Sequence, residues 1–267
     1  LIEKPQPSTP ERTCLESEDA TICHDLGVEA DEQGDDVLAL TLYTRGCELG
    51  SPYSCHNAAV RHFTGRGTIP DVNRAVELFD VACRARLGPS CFDLCVIFDR
   101  GRGVKEDHAK AFSLCDIGCD EGVAGACYNV GVMYATGRGV ASDLRSARTS
   151  YEKACEGGDG PACANLGLML VELGDLQPAV ELYGRGCSLG NGRGCALLAL
   201  ALWNGRGVDP DPVRARAVAE DGCRLGEGTA CYNLAHWLES GPHATELLRR
   251  ACELGVKEGC GEADAPR

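Results

Sequence analysis

Eighteen cysteines stand in a chain of 267 residues, and their spacing is regular enough to do chemistry. Seven pairs have members eight residues apart: Cys47 and Cys55, Cys83 and Cys91, Cys119 and Cys127, Cys155 and Cys163, Cys187 and Cys195, Cys223 and Cys231, Cys252 and Cys260. Cys14 and Cys23 are nine apart. Thiols at this density close disulfides or hold metal. Structural zinc usually draws on C-x2-C knuckles, which are absent, and no histidine recurs beside the pairs, so the spacing points to disulfides. A second series is polar. Two residues after the second cysteine of successive pairs stand Asp25, Asn57, Asp93, Asn129, Asn165, Leu197 and Asn233. An amide offers two donors and an acceptor, enough to satisfy both main-chain groups of an extended peptide. The same amide would equally well hydrogen-bond a neighbouring segment and seal a junction within the fold.

Catalytic patterns are sparse. Ser150-Tyr-Glu-Lys153 has the S-x-x-K form of a β-lactamase nucleophile, but no K-T-G accompanies it. H-E-x-x-H, G-x-S-x-G and Walker sequences are absent, and the six histidines show no metal-ligand spacing. No metal and no cofactor is expected. Formal net charge is −14, from 26 basic and 40 acidic residues, which argues against a nucleic-acid partner. The acidity suits a cationic or neutral partner, or serves solubility alone. No apolar run of about 18 residues is present to span a bilayer.

The elements that carry these residues repeat. The first cysteines recur every 36 residues, with one interval of 32 and a last one of 29, which signals a stacked array rather than one globular core. After each second cysteine, small and apolar residues fall at helical spacing, as in Cys127-Tyr-Asn-Val-Gly-Val-Met-Tyr134 and Cys163-Ala-Asn-Leu-Gly-Leu-Met-Leu170. This is helix A, expected near 20–32, 54–64, 90–100, 126–136, 162–173, 194–204 and 230–239. Gly-Arg-Gly turns follow at 65–67, 101–103, 137–139 and 205–207. Helix B is expected near 35–48, 71–85, 107–121, 143–157, 175–189, 211–225 and 242–254. Each cysteine pair then staples the end of one helix B to the start of the next helix A, closing a short loop worth roughly 2–3 kcal/mol. Disulfides on this scale place the chain in an oxidising compartment, secreted or periplasmic. Residues 1–13, Pro-rich and polar, read as a linker following a removed or lipid-anchored leader; residues 14–267 read as one solenoid.

The motif Ala-Cys-x-Asn-Leu-Gly, then Gly-x-Gly-Val, Asp, and Ala-x3-Tyr-x2-Ala-Cys, stands most fully at Ala126–Val140 and Asp143–Cys155. It resembles the Sel1-like repeat family, relatives of the tetratricopeptide repeats, over roughly residues 20–260. The doubled cysteines are similar to the disulfide-rich subgroup of Helicobacter cysteine-rich proteins. The resemblance implies an all-α, right-handed α/α solenoid of about seven hairpins, with a concave face lined by the A helices. It also implies a non-catalytic scaffold binding a protein or peptide there. Asn57, Asp93, Asn129, Asn165 and Asn233 would hold ligand main chain, with His56, Tyr128, Tyr232 and His236 as neighbouring contacts. Sealing of the junctions stays open as the other role of the ladder. Val60, Phe63, Val96, Val132, Leu168, Val171, Leu200 and Trp203, further along the same helices, serve either recognition or inter-helix packing, and packing is the expectation for the aliphatic ones.

Cys95 and Cys115 fall outside the staple rule. They occupy slots that face each other within one hairpin of related repeats, so the resemblance implies a ninth disulfide. Buried free thiols, or a zinc site from Cys91, Cys95, Cys115 and Cys119, are the alternatives. The family resemblance also carries a β-lactamase or penicillin-binding alternative, resting here on Ser150 and Lys153. A third reading is a structural subunit of an envelope or respiratory assembly.

Overall fold

The computed structural model describes residues 10–238 and 240–263. Among them are sixteen α-helices and no strand. The chain forms two compact units that meet in sequence at Ser142 and Asp143. The first holds α1 (Pro10–Glu16), α2 (Ala20–Glu32), α3 (Asp36–Glu48), α4 (Pro52–Thr64), α5 (Val72–Arg84), α6 (Gly88–Asp99), α7 (His108–Asp120) and α8 (Ala124–Thr136). The second holds α9 (Leu144–Glu156), α10 (Gly160–Leu173), α11 (Leu176–Ser188), α12 (Gly192–Asn204), α13 (Pro212–Arg224), α14 (Gly228–Trp237), α15 (Pro242–Glu253) and α16 (Lys257–Ala263). Within each unit, helices pack on their neighbours in the chain; α2 also packs on α4, α6 on α8, α10 on α12 and α12 on α14. This is a solenoid in which even-numbered helices are A and odd-numbered ones B.

The helix boundaries have local causes. Asp35, Asp71, Asp107 and Asp211 each precede a B helix and accept a backbone N–H with the side-chain carboxylate. Such a cap is worth about 1 kcal/mol. Ser51, Asp159 and Asn191 do the same for A helices. Most A helices begin two residues before the expected starts, because the chain enters them through residues such as Pro52, Gly88 and Gly160 ahead of the buried cysteine. α1 occupies residues 10–13 of the stretch expected to be linker; residues 1–9 lie outside the described residues. α16 is an addition the repeat reading does not contain.

Eight disulfides join the end of one B-type helix to the next A-type helix. In the first unit they are Cys14–Cys23, Cys47–Cys55, Cys83–Cys91 and Cys119–Cys127. In the second they are Cys155–Cys163, Cys187–Cys195, Cys223–Cys231 and Cys252–Cys260. A ninth, Cys95–Cys115, ties α6 to α7, with Cα atoms 5.2 Å apart. Cys91 and Cys119 are spent on staples, so the four-cysteine zinc arrangement is not formed. The A-helix members are the deeper ones in several staples: Cys23, Cys163, Cys195 and Cys231 expose none of their surface. Cys195 and Cys231 are therefore core residues of the second unit as well as staple partners, and neither lies on a surface that a ligand could touch. Cys231 packs with Ala199, Ala230 and Leu234. Cys195 lies so close to α13 that a Cβ on Gly222 would sit 3.2 Å from its own. In the first unit Ala58, Ala59 and Ala82 are fully buried.

The Gly-Arg-Gly insert docks each hairpin on the one before it. Gly67 has φ 76° and Gly139 φ 74°, the left-handed region that glycine enters without strain. A Cβ on Gly67 would overlap the carbonyl oxygen of Asp36, and one on Gly139 that of His108. Both carbonyls belong to the first residue of the preceding hairpin's B helix. Glycine therefore serves both conformation and close approach.

Candidate binding clefts on the A-helix face

The ladder residues lie half-buried on the A helices, apart from Asp25, which is exposed. Several are engaged with their surroundings. Burial pushes the Tyr43 phenol up, and the neighbouring Asn57 side chain works against that shift. Arg193 donates to Asn165 Oδ1 at 3.4 Å. These two contacts have the character of junction sealing. Asp93 differs. Its Oδ2 lies 3.7 Å from His56 Nδ1, and burial raises its carboxyl to about 6. The His56 ring lies 5.6 Å from Phe79, with Nδ1 2.9 Å from the Oγ of fully buried Ser90; burial holds the imidazole below its ordinary value. Tyr128, Asn129 and Asn233 are half-buried.

Tyr232 and His236 converge on α16. The Tyr232 hydroxyl donates to Glu262 Oε1 at 3.0 Å, and His236 Nε2 lies 3.0 Å from Glu262 Oε2. The two rings are 4.3 Å apart. Expected as ligand contacts, they also anchor the last helix to α14.

Two clefts open at equivalent places, one in each unit. The first lies between α4 and α6, walled by Val60, Phe63, Val96 and Ile97 over Phe79, with Asp93 on the wall and Arg102 at the rim, and has a volume of ≈ 140 Å³. The second lies between α10 and α12, walled by Leu168, Val171, Leu197, Leu200 and Ala201 over Tyr183, with Arg206 at the rim, and has a volume of ≈ 130 Å³. The repeat register matches them residue for residue: Val60 with Leu168, Phe63 with Val171, Phe79 with Tyr183, Asp93 with Leu197, and Arg102 with Arg206. Val60, Val96, Leu168, Val171 and Leu200, aliphatic residues expected to serve packing, are thus cleft walls. A volume near 130 Å³ admits about one side chain, small beside a drug-sized pocket.

The register also shows why clefts open there. The insert arginines Arg66 and Arg138 are paired. Arg66 reaches Asp31 and Asp36, each at 2.8 Å, and Arg138 reaches Asp99 at 3.1 Å. Buried Arg61 joins the first group, 2.6 Å from Asp31 and 3.0 Å from Asp36. Asp31 and Asp99 stand eight residues after the second cysteine of their hairpin; Phe63 and Val171 hold that slot beneath Arg102 and Arg206. Among the described residues no carboxylate pairs with Arg102 or Arg206, and both arginines are exposed. Burial pushes up the Tyr183 phenol, and the charge of Arg206 works against that shift.

The Ser150 hydroxyl donates to the Ser146 carbonyl at 2.9 Å and is buried, while Lys153 is exposed. That arrangement does not present a nucleophile. No group of three or more His, Cys, Asp or Glu side chains suited to a metal occurs among the described residues.

The Sel1 repeat model matches residues 20–51, 52–86, 88–123, 124–159, 160–191, 192–217 and 228–256. The chain is similar to a protective antigen of uropathogenic Escherichia coli strains displaying an SLR fold, at 25% identity and a TM-score of 0.83, over 96% of this chain and 58% of that one. It thus spans little more than half that protein's length. A Sel1 repeat protein from Oxalobacter formigenes matches at 21% identity and a TM-score of 0.77, over 86% of this chain and 96% of its own. The Helicobacter pylori cysteine rich protein B matches at 26% identity and a TM-score of 0.40, over 48% and 92% respectively. No curated protein sequence matches the chain.

Proposed function

The chain belongs to the Sel1 repeat family, and we propose that it is a non-catalytic scaffold, secreted or periplasmic, that binds a protein or peptide on its A-helix faces. The observation that carries this reading is the recurrence of one cleft in two units, walled by A helices and flanked by ladder residues. Staples at every junction hold these faces in place before a partner arrives, which lowers the ordering cost of binding. Nine disulfides support an oxidising compartment. The ligand-facing residues in this reading are His56, Asp93, Tyr128 and Asn129 in the first unit and Asn233 in the second, beside the cleft walls.

The test begins with co-purification from the source's envelope or culture fluid under non-reducing conditions, with the partner identified by mass spectrometry. The purified partner is then titrated against wild type, Asn129→Ala with Asn233→Ala, and Leu200→Glu, which puts a charge on the second cleft's wall. A several-fold loss of affinity in at least one variant is expected. Unchanged affinity in both would refute use of the A-helix faces.

A further inference from the structure

Arg206 crowns the second cleft without a carboxylate, whereas two other insert arginines are held by one. Arg66 is bound by Asp31 and Asp36, and Arg138 by Asp99. At the two corresponding slots beneath Arg206 stand Val171 and Leu176, and both line the cleft instead of pairing with the arginine. The molecule thus displays the group this arginine takes when one is present, a side-chain carboxylate, and omits it where an apolar cavity opens. Leu197 replaces the ladder's polar residue here, so the cleft wall from α10 to α12 is aliphatic apart from Asn204. The overall charge of −14 sets a limit on the partner. A run of acids would be repelled by that charge, while a single acid is repelled less and meets the Arg206 guanidinium at contact range.

We propose that the cleft between α10 and α12 receives a large apolar side chain of a partner segment, and that a single Asp or Glu close by in that segment pairs with Arg206. This rests on the A-helix-face reading above and specifies what that face selects. The apolar residue supplies burial against Leu168, Val171 and Leu200. The acid supplies a charge-assisted, two-pronged contact that only the guanidinium offers. The first cleft has the same plan with Arg102 at its rim, but Asp93 on its wall disfavours an incoming carboxylate. The second cleft is therefore the selective one.

The experiment uses the full oxidised chain and end-capped, Gly/Ser-flanked peptides with a central Phe or Leu and one Glu placed one or two residues to either side. Controls carry Gln in place of Glu, or a free C-terminal carboxylate in place of the acidic side chain. Affinities are read by calorimetry or fluorescence anisotropy. Wild type is expected to prefer a Glu peptide over its Gln twin by about tenfold. Arg206→Gln should abolish that preference, so that the Glu and Gln peptides bind it equally. Val171→Asp, which returns to Arg206 the internal carboxylate that Arg66 has, should abolish it too. Equal binding of Glu and Gln peptides, or a preference that survives in Arg206→Gln, overturns the inference and leaves the broader reading standing. Selection of the free C-terminal carboxylate alone overturns the assignment to a side chain. Binding of no peptide at all overturns this inference and counts against peptide recognition by the A-helix face itself.

Discussion

At Asp93 the ladder carries a charge where Asn57 and Asn129 carry an amide, and burial makes that charge unfavourable. The folded carboxyl titrates at about 6 against an ordinary 3.8, so the fold binds its proton more tightly than the unfolded chain does. Stability from this group is therefore fully present below about pH 4, declines as pH rises to 6, and stays lower above. His56 acts in the opposite sense, since burial disfavours its protonated form and lowers stability as pH falls below its ordinary range. Asp93→Asn separates the two. With its side chain 39% exposed, solvent screening trims the effect, and a gain of about 1 kcal/mol at pH 7.5 with none at pH 4 is expected. Urea denaturation at the two pH values measures it. The ladder itself is visible in the sequence because it sits at a constant distance from a cysteine. The clefts are not, because the slot beneath each insert arginine lies in the preceding hairpin, 35 residues away for Asp31 and Arg66. Only stacking reveals whether that slot holds an acid or an apolar residue. Val171 consequently looks like packing until its arginine is seen without a carboxylate.

At the scale of elements, the third hairpin solves a shared problem differently. The small slot on helix A and the large one on helix B are Gly27 and Tyr43 in the first hairpin, so close that a Cβ on Gly27 would sit 2.6 Å from the Tyr43 ring. In the third hairpin Cys95 and Cys115 fill these slots and a covalent bond replaces the aromatic contact. Its loop is longer than a staple's, with partners 20 residues apart rather than 8. Cys95→Ala with Cys115→Ala should cost about 3 kcal/mol. Cys95→Gly with Cys115→Tyr should recover part of that by restoring the ring-on-glycine packing. Chemical denaturation of the three chains decides this, and equal losses in both variants would refute the equivalence. Helix positions are legible from period and caps. The A-helix starts read from the sequence fall short by two residues because the buried cysteine, rather than the capping residue before it, draws the eye. α16 is foreshadowed by Cys260 alone, since a staple needs a helix on its far side.

For the whole molecule, the covalent count is the most direct check. No free cysteine occurs, so alkylation of the denatured, unreduced chain should add no label, and the 18 thiols should label after reduction. Two labels before reduction would mean that Cys95 and Cys115 are thiols. Mass spectrometry gives the answer at once. Nearest-neighbour contacts dominate a repeat array, so stability is distributed along it, and the staples add to each junction separately. Their placement also governs what a protease can accomplish. A cut in a turn such as 49–51 falls inside the ring closed by Cys47 and Cys55, and the two pieces stay joined. A cut at 65–67, 137–139 or 205–207 falls between rings and lets the pieces part. The insert at 101–103 is the exception, because Cys95–Cys115 brackets it. In a compartment exposed to secreted proteases, nicking of this chain would be silent at some turns and would sever it at others, and the third hairpin alone is guarded at both of its turns.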